Sequence, residues 1–181
     1  QNETHTPLNS RVPYAVVKNV GESFIRSYHQ EFDLDYSIFR FFNTYGPQQS
    51  KDFVVSKFLA LALKNEPITI FGKGDQSRTF CYIDDNIDFT LKCLQENLLL
   101  NEVVNVGSSE VISILDLAKL IIDSTNSRSE IVYLPPLADG DMRRRQPDNS
   151  KMKKVLNRDL TPLSVGIKKM LESPELILYN T

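Results

Sequence analysis

Residues 35–47, DYSIFRFFNTYGP, decide the fold class. A β-branched and aromatic run ends abruptly in Asn43-Thr44-Tyr45-Gly46-Pro47, a pattern that predicts a strand over residues 35–42 whose C-terminal end enters a turn. Asn43 stands at that end, where open α/β sheets place their ligands. Upstream, residues 1–13 hold two prolines and no periodicity and read as a loop. Val16, Val17, Val20, Phe24, Ile25 and Tyr28 then recur at three-to-four spacing, which predicts a helix over residues 14–30 with one buried face.

Downstream the pattern alternates. A helix is expected over 53–63, stopped by Asn65-Glu66-Pro67, and then a strand over 68–71 before the glycine loop Gly72-Lys73-Gly74-Asp75. A strand over 78–83 leads to a helix capped by Asp84 or Asp85 and running to residue 96. A strand over 102–106 ends at Gly107, Ser113 caps a helix over 114–123, and residues 130–134 form another strand. Residues 135–147 read as a loop, with short helices over 149–156 and 163–171. Strands alternating with helices indicate an α/β fold with at least part of a parallel sheet.

Composition narrows the function classes. The 181 residues are 41% hydrophobic and 24% charged, ordinary globular usage. A net charge of −2 and a pI near 5.7 argue against nucleic acid or an anionic membrane as a partner of the whole chain. Cys81 and Cys93 lack CxxC spacing and sit in apolar surroundings, the pattern of buried thiols in a reducing, cytoplasmic compartment. With only His5 and His29 as imidazoles, no metal site is expected. No apolar run approaches the ~20 residues of a spanning helix.

Several residues could carry chemistry. Tyr14 and Lys18 lie four apart on one helical face, where an ammonium can stabilise a phenolate and make the tyrosine a usable acid or base. Arg78 follows the glycine loop, and its planar, permanent charge suits a bidentate grip on a diphosphate; an exposed strand-edge arginine is the other reading. Arg143, Arg144 and Arg145 form the densest basic cluster, which a solvated face would also explain.

Five motifs follow one another in order: PYAVVKNVGE (13–22), RFFNTYGP (40–47), ITIFGKGDQSRTFCYIDD (68–85), VVNVGSS (103–109) and RRRQPD (143–148). Together they resemble the extended short-chain dehydrogenase/reductases that act on nucleotide sugars, over about residues 3–171. The resemblance implies NAD as cofactor, Tyr14 as the catalytic tyrosine that takes a proton from a sugar hydroxyl, and Lys18 as the lysine that binds the nicotinamide ribose and tunes it. It implies that Asn43 contacts the phosphate region of the substrate, that Arg78 grips the diphosphate and that Arg145 is directed at the substrate. Phe71 would line the nucleotide-base pocket, although core packing explains it equally, and turn chemistry explains Asn43 as well. A nucleotide sugar, UDP-linked by preference, and a homodimer through the residue 14–30 helix and the surroundings of residues 53–63, or the helix just upstream, are the implied partners. Residues 134–148, LPPLADGDMRRRQPD, look somewhat like the corresponding stretch of UDP-glucuronate decarboxylases.

No glycine-rich dinucleotide turn occurs in these 181 residues. They therefore read as the later part of a doubly wound Rossmann sheet plus a smaller α/β substrate lobe. Residues 1–52 belong to the cofactor domain, and residues 53–181 mainly to the lobe, with 79–107 returning to the sheet. The expected activity is NAD-dependent epimerisation, dehydration or decarboxylation by a longer polypeptide, with this fragment inactive alone. A nucleotide-sugar-binding fragment without catalysis, or an interaction protein of the same fold, are the alternatives.

Overall fold

Periodic apolar residues build helix α1 (Pro13–Phe32), with Pro13 at the first position, where its missing N–H costs nothing. Asp33 ends it in the left-handed region at φ 52°, its N–H bonding the His29 carbonyl at 2.9 Å. The structure, a computed structural model, describes residues 13–136 and 146–173 and divides into two compact units. The first comprises the described part of Gln1–Ile38 together with Leu99–Val103. Within it Asn101 acts as a clamp: its side chain bonds Asp35 Oδ1 at 2.7 Å and accepts the Tyr36 N–H at 3.1 Å, and its own N–H reaches the Tyr36 carbonyl at 2.6 Å.

One expectation fails in this unit. The periodicity of α1 predicts a buried face, yet the helix buries none of its residues, and Val17 and Phe24 are 67% and 62% exposed. The physical reason is area: a helix of 20 residues is about 30 Å long, and the short stretches 33–38 and 99–103 cannot cover it.

Next come β1 (Ser37–Phe41) and β2 (Thr44–Tyr45), then α2 (Val54–Leu63), β3 (Ile68–Phe71), β4 (Ser77–Thr79), β5 (Cys81–Tyr82) and α3 (Ile83–Gln95). They are followed by β6 (Glu102–Val106), β7 (Val111–Ser113), α4 (Ile114–Thr125), β8 (Ile131–Leu134), α5 (Ser150–Leu156) and α6 (Leu163–Glu172). Strand pairs form between non-consecutive elements, β1 with β6, β2 with β5, β3 with β8 and β4 with β7. β2–β5 and β3–β8 are parallel, as crossover helices require, and β4–β7 is antiparallel. The α/β class with parallel pairing is as the alternation indicates.

The second unit, Phe39–Leu98 with Val104–Thr181, holds the core. Phe58, Leu59 and Ala62 of α2 meet Leu117, Ala118 and Ile121 of α4 over Ile68 and Ile70 of β3, and Ile167 and Met170 of α6 join the same cluster. Each large side chain buried this fully contributes about 1.5–3 kcal/mol. Ser113 caps α4 as expected, accepting the Asp116 N–H at 3.0 Å and donating to the Asp116 carboxylate at 2.6 Å.

Three local expectations need correction. The strand expected over 78–83 is two strands with different partners: β4 places Arg78 opposite Ile112 on β7, while β5 places Cys81 and Tyr82 beside Thr44 and Tyr45 on β2. β2 falls within the stretch expected to be a turn and β7 within one given no element, because two or three residues are too few to show a period. Asp84 and Asp85 do not cap α3; Tyr82 occupies that position, and the Asp85 side chain is buried and bonded elsewhere.

Candidate active site

α1 carries Tyr14 and Lys18, and the Lys18 ammonium lies 5.4 Å from the centroid of the Tyr14 ring. One helical turn separates them, which brings both onto one face. Tyr14 is 66% exposed.

The second unit places the remaining described candidates. Asn43 follows β1 at φ 32°, a left-handed backbone that asparagine tolerates. Its amide donates to the carbonyl of Thr79, the last residue of β4, at 2.9 Å. The bond is a long-range tie to Thr79, not a bond to the local turn, and it uses one of the two amide N–H groups. Arg78 lies next to Thr79, its guanidinium bonded to the Ser77 carbonyl at 2.8 Å. Phe71 closes β3 with 39% of its surface exposed, so it is not a core residue. Gly72 and Gly74 then turn the chain at φ 65° and 72°, and a Cβ on Gly74 would meet Ile70 and Leu115 at 3.0 Å. Phe80, by contrast, is buried and packs edge-on against Tyr45 at 6.5 Å. Arg143, Arg144 and Arg145, with most of the 135–147 loop, lie outside the described residues. Tyr14 and Lys18 belong to one unit and Asn43, Phe71 and Arg78 to the other.

The sequence reading did not find the cavities. One of about 460 Å³ is formed by Thr44 to Gln49 with Ile83, a size suited to a small-molecule group. A second of about 260 Å³ adjoins it, sharing Thr44 and Ile83 and walled by Phe41, Ile87 and Leu91. Neither Phe71 nor Arg78 lines either one. The loop is held firmly: Gln49 Nε2 donates to the Thr44 carbonyl at 2.5 Å, and Ser56 donates to Gln49 Oε1 at 3.0 Å. A Cβ on Gly46 would lie 2.6 Å from Ile83 Cγ2, so only glycine lets the loop lie against the start of α3.

Buried polar groups support this loop from beneath. Asn86 bridges Cys81 Sγ at 3.0 Å and Thr44 Oγ1 at 2.7 Å. Asp85, fully buried, accepts from Arg158 at 2.6 Å and from the Thr161 N–H at 2.8 Å, tying the α5–α6 connection to α3. Arg158 also reaches Asp88 at 2.6 Å, and these hydrogen bonds hold its pKa above the ordinary value, Asp85 first. Losing one partner of a buried pair costs about 3–5 kcal/mol, and less here because Arg158 is 39% exposed. Burial first, then the charges of Cys81 and Glu110, raises the Tyr45 phenol far above its ordinary pKa, so Tyr45 is a packing group and not an acid or base. The YIDD stretch signalled this network only through two carboxylates; their distant partners, Arg158 and Thr161, carry no local pattern.

The family model described as "NAD dependent epimerase/dehydratase family" matches residues 1–107. Among curated relatives, an uncharacterized UDP-glucose epimerase, YtcB, of Bacillus subtilis is 35% identical over 164 residues, covering 90% of this chain and 52% of that protein. UDP-glucuronic acid decarboxylase 1 of Danio rerio is 33% identical over 179 residues, covering 95% and 42%. The chain thus spans about half the length of these relatives. Among solved structures, UDP-glucose 4-epimerase of Thermotoga maritima with UDP-glucose superposes with a TM-score of 0.82 at 32% identity, over 88% of this chain and 52% of that one. A tyrosine-to-phenylalanine mutant of UDP-glucuronic acid 4-epimerase from Bacillus cereus, in complex with UDP-4-deoxy-4-fluoro-glucuronic acid and NAD, gives 0.82 at 30%, over 93% and 53%. These likenesses show a Rossmann-like α/β fold.

Proposed function

Because the chain belongs to the NAD-dependent epimerase/dehydratase family, we propose that the polypeptide carrying it remodels a UDP-sugar by transient oxidation of one sugar carbon. Epimerisation, dehydration or decarboxylation then follows, and the hydride is returned. The observation that carries the reading is the Tyr14–Lys18 pair, a phenol and an ammonium one turn apart on an exposed face within the family-matched segment.

The pair fits NAD by its donor set: Lys18 offers three N–H groups suited to ribose hydroxyls, and Tyr14 a hydroxyl beside them. NAD, when bound, supplies the hydride acceptor and donor. Tyr14 takes the proton of the sugar hydroxyl as the C–H bond of the same carbon breaks, and gives it back when that bond reforms. Lys18 holds positive charge beside the phenol during the transfer. Asn43, Phe71, Arg78 and Arg145 are assigned to the substrate, the two arginines to its diphosphate or a sugar carboxylate. Two copies pair through the exposed face of α1, where Val17, Phe24 and Tyr28 recur along one side.

The test is Tyr14→Phe in the full-length polypeptide, incubated with NAD and with UDP-glucose or UDP-glucuronate, the products being identified by NMR. Turnover is expected to fall about 100- to 10,000-fold, the usual contribution of a general acid–base group, with UDP affinity unchanged. A variant that turns over at the wild-type rate removes Tyr14 from the mechanism.

A further inference from the structure

Gly107, the residue that follows β6, is buried, and side chains one helical turn apart take both its N–H and its carbonyl. Its N–H donates to Met152 Sδ at 3.3 Å, and its carbonyl accepts from Asn149 Nδ2 at 2.7 Å. Met152 is fully buried and Asn149 is 5% exposed. A Cβ on Gly107 would lie 2.8 Å from Phe42 Cβ and 3.2 Å from Pro147 Cγ, so glycine alone lets Pro147 come this near. Beside this contact Asn105 Nδ2 donates to the Asp148 carbonyl and Gln146 Nε2 to the Ser109 carbonyl, each at 3.2 Å. The Phe42 N–H donates to the Val106 carbonyl at 2.9 Å, which sets the whole contact at the C-terminal ends of β1 and β6, the side of an α/β sheet where ligands are placed. Asn149 occupies the N-cap of α5, where asparagine ordinarily bonds an N–H of the first turn, yet its side chain makes no such bond. Asp148 accepts the Ser150 N–H instead, at 3.0 Å, and the Asn149 amide goes to a residue 42 positions away.

We propose that Asn149 is a positioning residue for substrate binding: by holding Gly107 it seats the stretch that starts at Gln146 on the ends of β1 and β6, and it acts on an anionic group of the substrate through Arg145. One peptide bond joins that seated stretch to the arginine. Loss of the Asn149 amide leaves the buried Gly107 carbonyl without its partner and loosens the stretch, so the arginine has more conformations to lose on binding and affinity falls. The same contact gives the VVNVGSS motif (103–109) a task, as the seat of the segment that closes RRRQPD (143–148).

The inference rests on the assignment of Arg145 to a UDP-sugar. A double-mutant cycle in the full-length polypeptide tests it, with UDP-glucose titrated by calorimetry into the wild type, Asn149→Ala, Arg145→Ala and the double variant. Asn149→Ala is expected to weaken UDP-glucose about 3- to 10-fold, the range of one hydrogen bond. In the Arg145→Ala background the same change is expected to cost almost nothing, because the group it positions is gone. Unchanged affinity in Asn149→Ala overturns the inference. An equal loss in both backgrounds also overturns it, since a merely structural residue acts whether or not the arginine is present. If Asn149→Ala does not fold, Met152→Leu takes its place in the cycle; it keeps the volume, removes the acceptor of the Gly107 N–H, and is expected to weaken UDP-glucose about 2- to 5-fold with the same dependence on Arg145. An Arg145→Ala protein that binds as the wild type does removes Arg145 from the substrate, and this inference with it. A wild type that binds no UDP-glucose refutes the functional reading itself, a result distinct from a wild type that binds and an Asn149→Ala variant that binds equally well.

Discussion

Gly166 and Gly21 are both helical glycines without a positive φ, and ordinary helix propensity would have alanine stabilise each by about 1 kcal/mol. The structure separates them. A Cβ on Gly21 meets nothing within 4 Å. One on Gly166 overlaps the Tyr45 hydroxyl, lies 2.7 Å from Tyr45 Cζ and 3.0 Å from Tyr82 Cδ2. Tyr45 is 1% exposed and its hydroxyl donates to the Leu163 carbonyl at 3.4 Å, so the ring cannot move without disturbing the core. Overpacking of this kind costs about 1–3 kcal/mol, and the long hydrogen bond adds about 0.5. Against the propensity gain of about 1 kcal/mol, Gly166→Ala is expected to destabilise by about 0.5–2.5 kcal/mol, while Gly21→Ala, measured in a Phe24→Glu background that lacks pairing through α1, stabilises. Urea unfolding followed by circular dichroism reads both signs. Adding Tyr45→Phe to Gly166→Ala removes the overlapping oxygen and is expected to recover about 1 kcal/mol relative to additivity. A Gly166→Ala protein as stable as the Gly21→Ala protein, with no coupling to Tyr45, refutes the packing argument.

Dimerisation through α1 is tested by Phe24→Glu in the full-length polypeptide. A carboxylate on the exposed apolar face is expected to shift sedimentation velocity at micromolar concentration from dimer to monomer, and an unchanged dimer would place the interface elsewhere. Cys81 gives a pH dependence. Its thiol is raised from an ordinary value near 9 to about 12 by burial and then by Asp85. The folded state thus binds this proton more tightly, so the contribution is complete below about pH 9 and is lost as pH rises toward 12. Stability measured from pH 8 to 11 is expected to fall more steeply in the wild type than in Cys81→Ala, and identical slopes would contradict it.

How much was legible from sequence depends on the range of the interaction. β3 was read at its observed bounds because the β-branched and aromatic run Ile68-Thr69-Ile70-Phe71 stood between Pro67 and Gly72, and α4 was read because Ser113 announces its cap locally. The five motifs in order sufficed for the family, and the spacing of Tyr14 and Lys18 for their meeting on one helical face. These features depend on residues within a turn or two of each other, and local backbone preference records them. The division of residues 77–82 between β4 and β5 was not legible, because each half is defined by a partner more than thirty residues away. The burial of Asp85 under Arg158 and Thr161, the bond from Asn86 to Thr44, and the fit of Gly166 against Tyr45 share that origin. The sequence by itself determined the α/β class, the family and most of the elements. Tertiary structure alone decided which side chains meet beneath the cavities, because that pairing is set by how strands and helices cross and leaves no periodic trace in the chain.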